Sequence, residues 1–194
     1  MNPWFGFGAA FLAIALQLVI RVPHASRAEK AAVEESRRGP LEVALMALVT
    51  LGWLVLPALA AATPLLRFAD YGLHPAAFGA GLAAAGLGLW LCHRSHADLG
   101  ENWSVTLELK ETHRLVTGGV YARIRHPMYT ALLLTGVGQA LLVPNWIAGP
   151  AYLVAFALLF ALRVGPEERM MTERFGEEYA AYRGRTKRLV PGLY

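Results

Sequence analysis

Apolar residues in this sequence gather into five long runs with polar connections between them. The runs cover residues 3–20, 41–62, 75–91, 128–143 and 146–162. A helix that crosses the hydrocarbon core of a bilayer needs roughly 20 largely apolar residues. The pattern therefore predicts an all-α integral membrane protein with about five transmembrane helices. Because only Pro144 and Asn145 separate the last two runs, we expect those helices to form a tight hairpin.

Two of the runs carry signals for their internal structure. The second contains Pro57 and is followed by Thr63 and Pro64, so we expect helix breaks at both places. The third is rich in small residues, which let the backbones of neighbouring helices approach closely. These small residues are Gly79, Gly81, Ala85, Gly86 and Gly88.

The longest connection and the C-terminal tail are the polar parts of the chain. Residues 105–109, within the connection 97–125, alternate in the manner of a short strand. In the tail, Pro166 suits the first position of a helix, and a second short helix is expected around residues 175–179. Three aromatic residues of the tail share one face, which either docks on the protein or lies on the bilayer surface. They are Phe175, Tyr179 and Tyr182.

Composition agrees with a membrane protein of one domain. Hydrophobic residues make up 56% of the 194 residues and charged residues 16%, and the mean hydropathy is +0.40. Five spans leave no room for a separate soluble domain, so residues 1–194 are predicted to form a single membrane domain. Within it, residues 1–92 supply the upstream helices and residues 93–194 hold the candidate site.

Basic residues alternate between the connections and predict the orientation of the chain. Successive connections carry five, one, five and no Lys or Arg residues, and the tail from Arg163 carries seven. Short cytoplasmic loops carry an excess of Lys and Arg. We therefore expect the N-terminus outside and the C-terminal helical segment in the cytoplasm. The net charge of +4 is mostly this topology signal.

Candidate chemistry lies at two boundaries between polar and apolar sequence. The first boundary carries the run Arg125-His126-Pro127-Met128-Tyr129, and the second carries Arg163 and Glu167-Glu168. Ionisable residues at the mouth of a membrane helix are costly to place there and are functional candidates by default. We expect both groups to form one site at one face of the bilayer.

Other chemistries find little support in the sequence. Four histidines fall in one region, and they are His93, His96, His113 and His126. Only Asp98 is a nearby carboxylate and no cysteine is suitably placed, so no metal is predicted. The single cysteine, Cys92, excludes an internal disulfide. There is no convincing Ser/His/Asp or Cys/His triad, and no basic stripe with interleaved aromatics predicts a nucleic-acid partner.

These residues resemble the signature of the isoprenylcysteine carboxyl methyltransferases, a family related to the phospholipid N-methyltransferases. The resemblance rests on two motifs in order and covers roughly residues 99–191. The first motif comprises His113-Arg114-Leu115-Val116, Gly119-Val120-Tyr121 and Arg125-His126-Pro127-Met128-Tyr129. The second comprises Arg163, Glu167-Glu168 and Phe175-Gly176-Glu177-Glu178-Tyr179. A five-helix form of the family is similar to this chain in length.

The resemblance implies an integral membrane methyltransferase that uses S-adenosylmethionine, releases S-adenosylhomocysteine and binds its cofactor in a cytoplasmic pocket. By position, the cofactor would be lined by His113, Arg114, Leu115, Val116, Tyr121, His126, Pro127, Met128, Tyr129 and Glu167. Arg163 would face the methyl acceptor, and Arg163 and Glu167 are the expected catalytic residues. The lipophilic acceptor would enter from the bilayer between helices.

Residue chemistry agrees with this expectation and leaves two rivals open. Methyl transfer needs alignment and a dry site more than a protein nucleophile. Arg163 offers a planar fork for an acceptor carboxylate. A carboxylate needs no general base, whereas an amine does, and the missing base favours carboxyl methylation. The rivals are a lipid N-methyltransferase with the same cofactor site and a non-catalytic membrane protein that binds or assembles partners.

The alternation of basic residues makes a direct prediction about topology. A reporter fused to the C-terminus should read as cytoplasmic and one fused to the N-terminus as external, because the connections rich in Lys and Arg stay inside. Alkaline phosphatase and fluorescent-protein fusions measure this. An external reading at the C-terminus would overturn the cytoplasmic cofactor pocket as well.

Overall fold

The computed structural model describes residues 1–28, 33–36, 39–100, 108–110 and 114–193. Six α-helices account for most of these residues, and they are α1 (Pro3–Ala28), α2 (Pro40–Thr50), α3 (Leu56–Ala62), α4 (Pro75–Leu99), α5 (Pro127–Leu142) and α6 (Ala151–Arg185). Two short strands, β1 (Val33–Ser36) and β2 (Glu108–Lys110), pair antiparallel. The fold is thus all-α apart from this ribbon, and the strand-like pattern at residues 105–109 lies partly outside the described residues.

Among the residues that the structure describes, length and composition mark three helical stretches as able to cross a membrane. They are Pro3–Pro23, Pro40–Ala62 and Pro75–Leu99. Helix α5 is a shorter apolar helix, and α6 has only twelve residues before Arg163. The protein is therefore an integral, multi-pass membrane protein, while the count of five spans stays a prediction.

The second apolar run is distorted near Pro57 but not broken there, because the chain stays helical from Pro40 to Ala62. The other expected break, at Thr63-Pro64, is confirmed. A π-helical segment, Leu51–Val55, joins α2 to α3, and Pro57 lies in the first turn of α3. Such π turns widen the hydrogen-bonding pattern of a helix and leave carbonyls to be satisfied elsewhere. Here the Gly52 carbonyl accepts a hydrogen bond from Gln139 Nε2 at 2.8 Å. Beyond Thr63 the chain tightens into a 3-10 helix, Pro64–Ala69.

Helices α4 and α5 pack closely because small residues line their contact. A Cβ atom added to Gly88 would lie 2.7 Å from Thr135 Cγ2 and 2.8 Å from the Ala131 carbonyl oxygen. A Cβ on Gly138 would lie 2.8 Å from the Ala85 Cβ. The predicted close approach is therefore confirmed along the face of α4 that turns toward α5.

Not every small residue predicted to serve this packing does so. Gly81, Ala85 and Gly88 are buried, whereas Gly79 and Gly86 are exposed and a Cβ added to either meets nothing within 4 Å. The reason is the helical period: the buried residues repeat every three or four positions on one face. The other two lie on the face that turns away from α5.

The connection between α5 and α6 is longer than a tight hairpin, so that prediction is wrong. Residues 143–150 form turns, and α6 begins at residue 151 rather than 146. Asn145 is fully buried and stabilises these turns. Its Oδ1 accepts hydrogen bonds from the N–H groups of Ile147 (3.0 Å) and Ala148 (2.8 Å). Its Nδ2 donates to the Leu66 carbonyl (2.8 Å) and to Asp70 (2.7 Å).

Helix α6 runs through the position where a new helix was expected to start. Pro166 lies inside it rather than at a first turn, which corrects the prediction from its sequence. A proline lacks the N–H that would bond one turn back, yet the fixed φ of its ring is compatible with the helix. The helix is broken instead at Gly176 (φ 51°, ψ −123°), so the expected second short helix is confirmed. Tyr179 and Tyr182 beyond it are buried against the protein.

The contact between α4 and α5 predicts a sharp difference between two alanine variants. Gly88→Ala should lower the free energy of unfolding by about 1–3 kcal/mol, because its methyl group meets backbone and side-chain atoms that are closely packed. Gly86→Ala should be neutral, since the space there is open. Thermal unfolding of both variants in detergent measures the difference. Equal stability of the two would show that the helices do not pack on this face.

Candidate functional site

Charged residues collect at one end of the helical bundle, where α5 begins and α6 passes. The tail beyond α6 folds back over this end. The N–H of Arg125 donates to the Lys187 carbonyl (2.7 Å) and that of His126 to the Arg188 carbonyl (3.0 Å). The Thr130 hydroxyl donates to the carbonyl of Leu189 (2.8 Å). The tail is thereby fixed beside the first motif. We call this region the polar end.

A buried carboxylate, that of Glu168, holds the polar end together. Arg125 Nε and Nη2 both lie 3.1 Å from its Oε1. Arg188 donates from Nη2 to Oε2 at 2.8 Å and from Nε at 3.2 Å to Oε1. His126 Nε2 lies 3.3 Å from Oε1. Three parts of the chain, namely the entry to α5, the helix α6 and the returning tail, therefore meet at one side chain.

The charge of Glu168 is stable in this environment. Burial by itself raises the pKa of the carboxyl, but the hydrogen bonds from His126 and Arg188, together with the charge of Arg125, outweigh it. The net effect holds the pKa of Glu168 well below its usual range. Since an ionised carboxylate only accepts hydrogen bonds, His126 Nε2 is the donor in its contact with Glu168.

The preceding residue, Glu167, has different surroundings. Its Oε2 accepts a hydrogen bond of 2.7 Å from the Tyr129 hydroxyl, and its Oε1 lies 3.7 Å from His126 Nδ1. The side chain keeps 28% of its surface exposed, against 6% for Glu168. Within the described part of the chain, Glu167 forms no ion pair with arginine or lysine. It is thus a positioned and partly exposed carboxylate that, among the described residues, has a histidine neighbour but no arginine or lysine partner.

Tyr121 lies near this carboxylate on a short 3-10 turn, Gly119–Ala122. The turn is anchored by Asp98, whose Oδ2 accepts the Val120 N–H at 2.9 Å. The Tyr182 hydroxyl donates to the Tyr121 carbonyl at 2.7 Å. Burial, and secondly the charge of Glu167, raises the pKa of Tyr121 well above its usual range. Tyr121 therefore keeps its hydroxyl proton at neutral pH and cannot serve as a base.

Arg163 lies on α6 one turn before Glu167 and has an acidic neighbour from α2. Its Nη1 is 3.5 Å from Oε1 of Glu42, and each side chain is 13% exposed. Sequence reasoning missed Glu42, although a signal was available. Glu42 is the only charged residue in the apolar run 41–62, and a charge in such a run is a functional candidate.

The structure brings together four of the residues named from sequence. His126, Tyr129 and Glu167 are in mutual contact, and Arg163 lies one turn away on the same helix. Pro127 is buried at the start of α5, and Met128 is half-buried with its Sδ 4.0 Å from Arg21 Nη1.

The remaining predicted residues come from the segment before the 3-10 turn. Arg114, Leu115 and Val116 lie there in non-helical backbone, with Arg114 exposed and the other two half-buried. The contacts among His126, Tyr129 and Glu167 are made without them. His113 lies outside the described residues, so its predicted role stays a prediction.

Comparisons with known proteins point to one family. Residues 85–173 match the model of the isoprenylcysteine carboxyl methyltransferase family. Protein-S-isoprenylcysteine O-methyltransferase B of Arabidopsis thaliana is 36% identical over 87 residues, which is 45% of this chain and 44% of that protein. The human protein-S-isoprenylcysteine O-methyltransferase is 38% identical over 92 residues, 47% of this chain and 31% of that protein.

A solved structure shares the fold. It is that of the eukaryotic intramembrane Ras methyltransferase, an isoprenylcysteine carboxyl methyltransferase, with a TM-score of 0.54 and 27% identity. The match covers 78% of this chain and 50% of that one. The matched segments thus span half or less of the length of these relatives.

The buried Glu168 predicts a pH-dependent stability. Because the pKa of Glu168 is lowered in the folded state, its contribution to stability is present above the usual carboxyl value of 4.5 and is lost as the pH falls below it. At pH 7, Glu168→Gln should destabilise the protein by about 3 kcal/mol, since Arg125 and Arg188 lose their shared partner. The difference in the free energy of unfolding between this variant and wild type should begin to narrow below about pH 5 and should close progressively toward about pH 1.

A matched variant controls for the change of one charge. Glu177→Gln removes an exposed carboxylate from the same helix and should change stability by no more than about 0.5 kcal/mol. Thermal unfolding in detergent from pH 7 to acid measures both variants. If the difference in the free energy of unfolding between Glu168→Gln and wild type stays constant with pH, Glu168 does not stabilise the fold as an ionised carboxylate.

Proposed function

Since the chain belongs, through residues 85–173, to the isoprenylcysteine carboxyl methyltransferase family, we propose that it is a membrane methyltransferase dependent on S-adenosylmethionine. Its acceptor is the carboxylate of a lipophilic, isoprenylcysteine-like group, as on a lipidated protein. One observation carries the proposal: Glu167 is a partly exposed carboxylate without an arginine or lysine partner among the described residues, one turn from Arg163.

The surroundings of Glu167 fit the cationic end of the proposed methyl donor. The donor carries an ammonium group, and an unneutralised carboxylate in a partly buried site attracts a cation. The hydrogen bond from Tyr129 fixes the direction of that carboxylate. Glu168, by contrast, is occupied by Arg125 and Arg188, so it is not available to a ligand.

The residues of the polar end have distinct proposed roles. When bound, S-adenosylmethionine supplies an electrophilic methyl group on a sulfonium sulfur. Glu167 binds its ammonium group and Tyr129 holds Glu167 in place. Tyr121, His126, Pro127 and Met128 line the site, as do the residues from His113 to Val116. Since Tyr121 keeps its proton, it is proposed to bind rather than to accept a proton.

Arg163 is the proposed contact of the acceptor carboxylate. A guanidinium binds a carboxylate through two parallel hydrogen bonds and so sets the direction of its lone pairs. The acceptor is already ionised and nucleophilic, so no general base is required. The site agrees with this, because Glu42 and Glu168 are paired with arginines and Tyr121 keeps its proton.

The proposed geometry of access follows from the position of the site at one end of the bundle. The lipid part of the acceptor enters between helices from the bilayer, and the methyl donor enters from the cytoplasm. The N-terminus is then outside and the C-terminus cytoplasmic, as the basic residues indicate. The name of the curated relatives, protein-S-isoprenylcysteine O-methyltransferase, supports the acceptor class.

The function is tested by turnover and donor binding in parallel. Purified protein in lipid nanodiscs is given labelled S-adenosylmethionine with an S-prenylcysteine or with an aminophospholipid. We expect methylation of the prenylcysteine alone. Arg163→Ala should abolish turnover and leave the affinity for S-adenosylhomocysteine nearly intact. Arg163→Lys should restore little activity, because a point charge does not replace a planar fork.

Glu167→Ala separates donor binding from acceptor binding. It should weaken S-adenosylhomocysteine binding by about 2–5 kcal/mol in calorimetry, because the ammonium loses its charged partner. Unchanged affinity in a folded variant would refute the role of Glu167. Methylation of the aminophospholipid alone, insensitive to Arg163, would favour a lipid N-methyltransferase. A protein that binds neither donor nor product would favour a non-catalytic role.

A further inference from the structure

We propose that Glu42 is an internal carboxylate that occupies Arg163 until the carboxylate of the methyl acceptor takes its place. The inference rests on the proposed function and deepens it. It assigns to α2 a residue that competes for the acceptor subsite and helps to select acceptors by charge. Glu42 precedes both sequence motifs and belongs to neither of them.

The geometry of the ion pair is the first observation. Oε1 of Glu42 lies 3.5 Å from Arg163 Nη1, which is longer than a charge-assisted hydrogen bond. The same oxygen is buried and accepts no hydrogen bond from the described residues. A buried carboxylate oxygen without a hydrogen bond is costly. The contact is thus electrostatic and loose, and a better-placed carboxylate can replace it.

The helix that carries Glu42 is the second observation. No residue of α2 is buried. Its inner face meets the α5 and α6 core only through half-buried side chains, and these are Leu45, Met46 and Val49. Peripheral packing of this kind holds a helix less firmly than a contact such as that between α4 and α5. Glu42 therefore approaches Arg163 from a helix that packs only peripherally on the bundle.

Charge balance is the third observation. Arg163 is one cation, and Glu42, Glu167 and an acceptor carboxylate would be three anions within about two helical turns. In a partly buried site, like charges repel strongly, so Glu42 and the acceptor exclude one another at Arg163. Binding of the acceptor thus separates Glu42 from the guanidinium, and Glu42 gains solvent or lipid headgroups instead.

The product reverses this exchange. Methyl transfer forms a bond between a carboxylate oxygen and the methyl carbon, and it breaks the bond from that carbon to sulfur, whose electron pair remains on sulfur. No proton moves, and the acceptor changes from an anion to a neutral ester. An ester cannot offset the charge of Arg163, so Glu42 pairs with it again and the product is released toward the bilayer.

Binding of an acid and its ester tests the exchange without the methyl donor. Full-length protein is titrated with an S-prenylcysteine free acid and with its methyl ester, and Kd is measured by microscale thermophoresis. Glu42→Gln should lower the Kd of the acid by about three- to tenfold, because a partly buried competing charge is removed. The Kd of the ester should stay within about twofold of wild type, since an ester has no charge with which to displace Glu42.

Controls distinguish this role from a structural clamp. Glu173→Gln removes an exposed carboxylate of α6 that lies outside both motifs and should leave both Kd values unchanged. A clamp between α2 and α6 would lower the thermal stability of Glu42→Gln without tightening acid binding. If Glu42→Gln does not fold, Glu42→Asp, which withdraws the charge by one methylene, should shift the acid-to-ester ratio in the same direction by a smaller factor.

The outcomes separate this inference from the proposed function. If wild type binds neither the acid nor the ester, the proposed acceptor class is wrong. If wild type binds the acid, and a folded Glu42 variant binds it equally or more weakly, then only the role of Glu42 is overturned. Tighter binding of acid and ester alike would also overturn it, because the effect would not depend on the carboxylate.

Discussion

The polar end depends on the desolvated charge of Glu168. This carboxylate is almost fully buried and contacts Arg125, His126 and Arg188. A buried charge is tolerated only when it is paired and hydrogen-bonded, and together with Glu168 these partners belong to three separate parts of the sequence. The entry to α5, the middle of α6 and the C-terminal tail are fixed relative to one another because the charge requires all of them.

Two consecutive glutamates show how tertiary position gives neighbouring residues different surroundings. Glu168 turns toward the arginines and is neutralised by them, whereas Glu167 turns toward Tyr129 and keeps part of its surface exposed. Neighbouring residues on a helix point about 100° apart, so one faces the interior while the other faces the site. The scaffold thereby uses one carboxylate for its own stability and leaves the second partly exposed.

The apolar part of the molecule satisfies its few polar groups internally. Gln139 bonds the carbonyl that the π segment leaves exposed, and Asn145 bonds the turns between α5 and α6. In a bilayer such bonds are required, because lipid offers no partner to a backbone group. Helices α4 and α5 are in close contact, whereas α2, which carries Glu42, has no buried residue.

Much of the fold is readable from the sequence because the bilayer imposes it. Hydrophobic runs marked the apolar helices, small residues marked the contact of α4 with α5, and Thr63-Pro64 marked the end of the second helical run. The motif residues His126, Tyr129 and Glu167 were also found, since charged groups next to membrane helices are conspicuous. Two predictions failed: the hydrophobic pattern started the last apolar helix at residue 146 rather than 151, and Pro166 was expected at the first turn of a new helix. Turns and helix continuity depend on tertiary partners such as Asn145, which periodicity does not show.

The pairing of charges was decided by tertiary structure alone. The sequence identified Arg163 and both glutamates but not their partners, because ion pairs join residues that only folding brings within 4 Å. Glu42 is over a hundred residues from Arg163 in the chain, and Arg188 belongs to a tail whose path no pattern indicates. The sequence by itself therefore determined where the membrane helices lie and which side chains are candidates. The three-dimensional structure decided which carboxylate stabilises the fold, which is accessible to a ligand and which lies against the arginine.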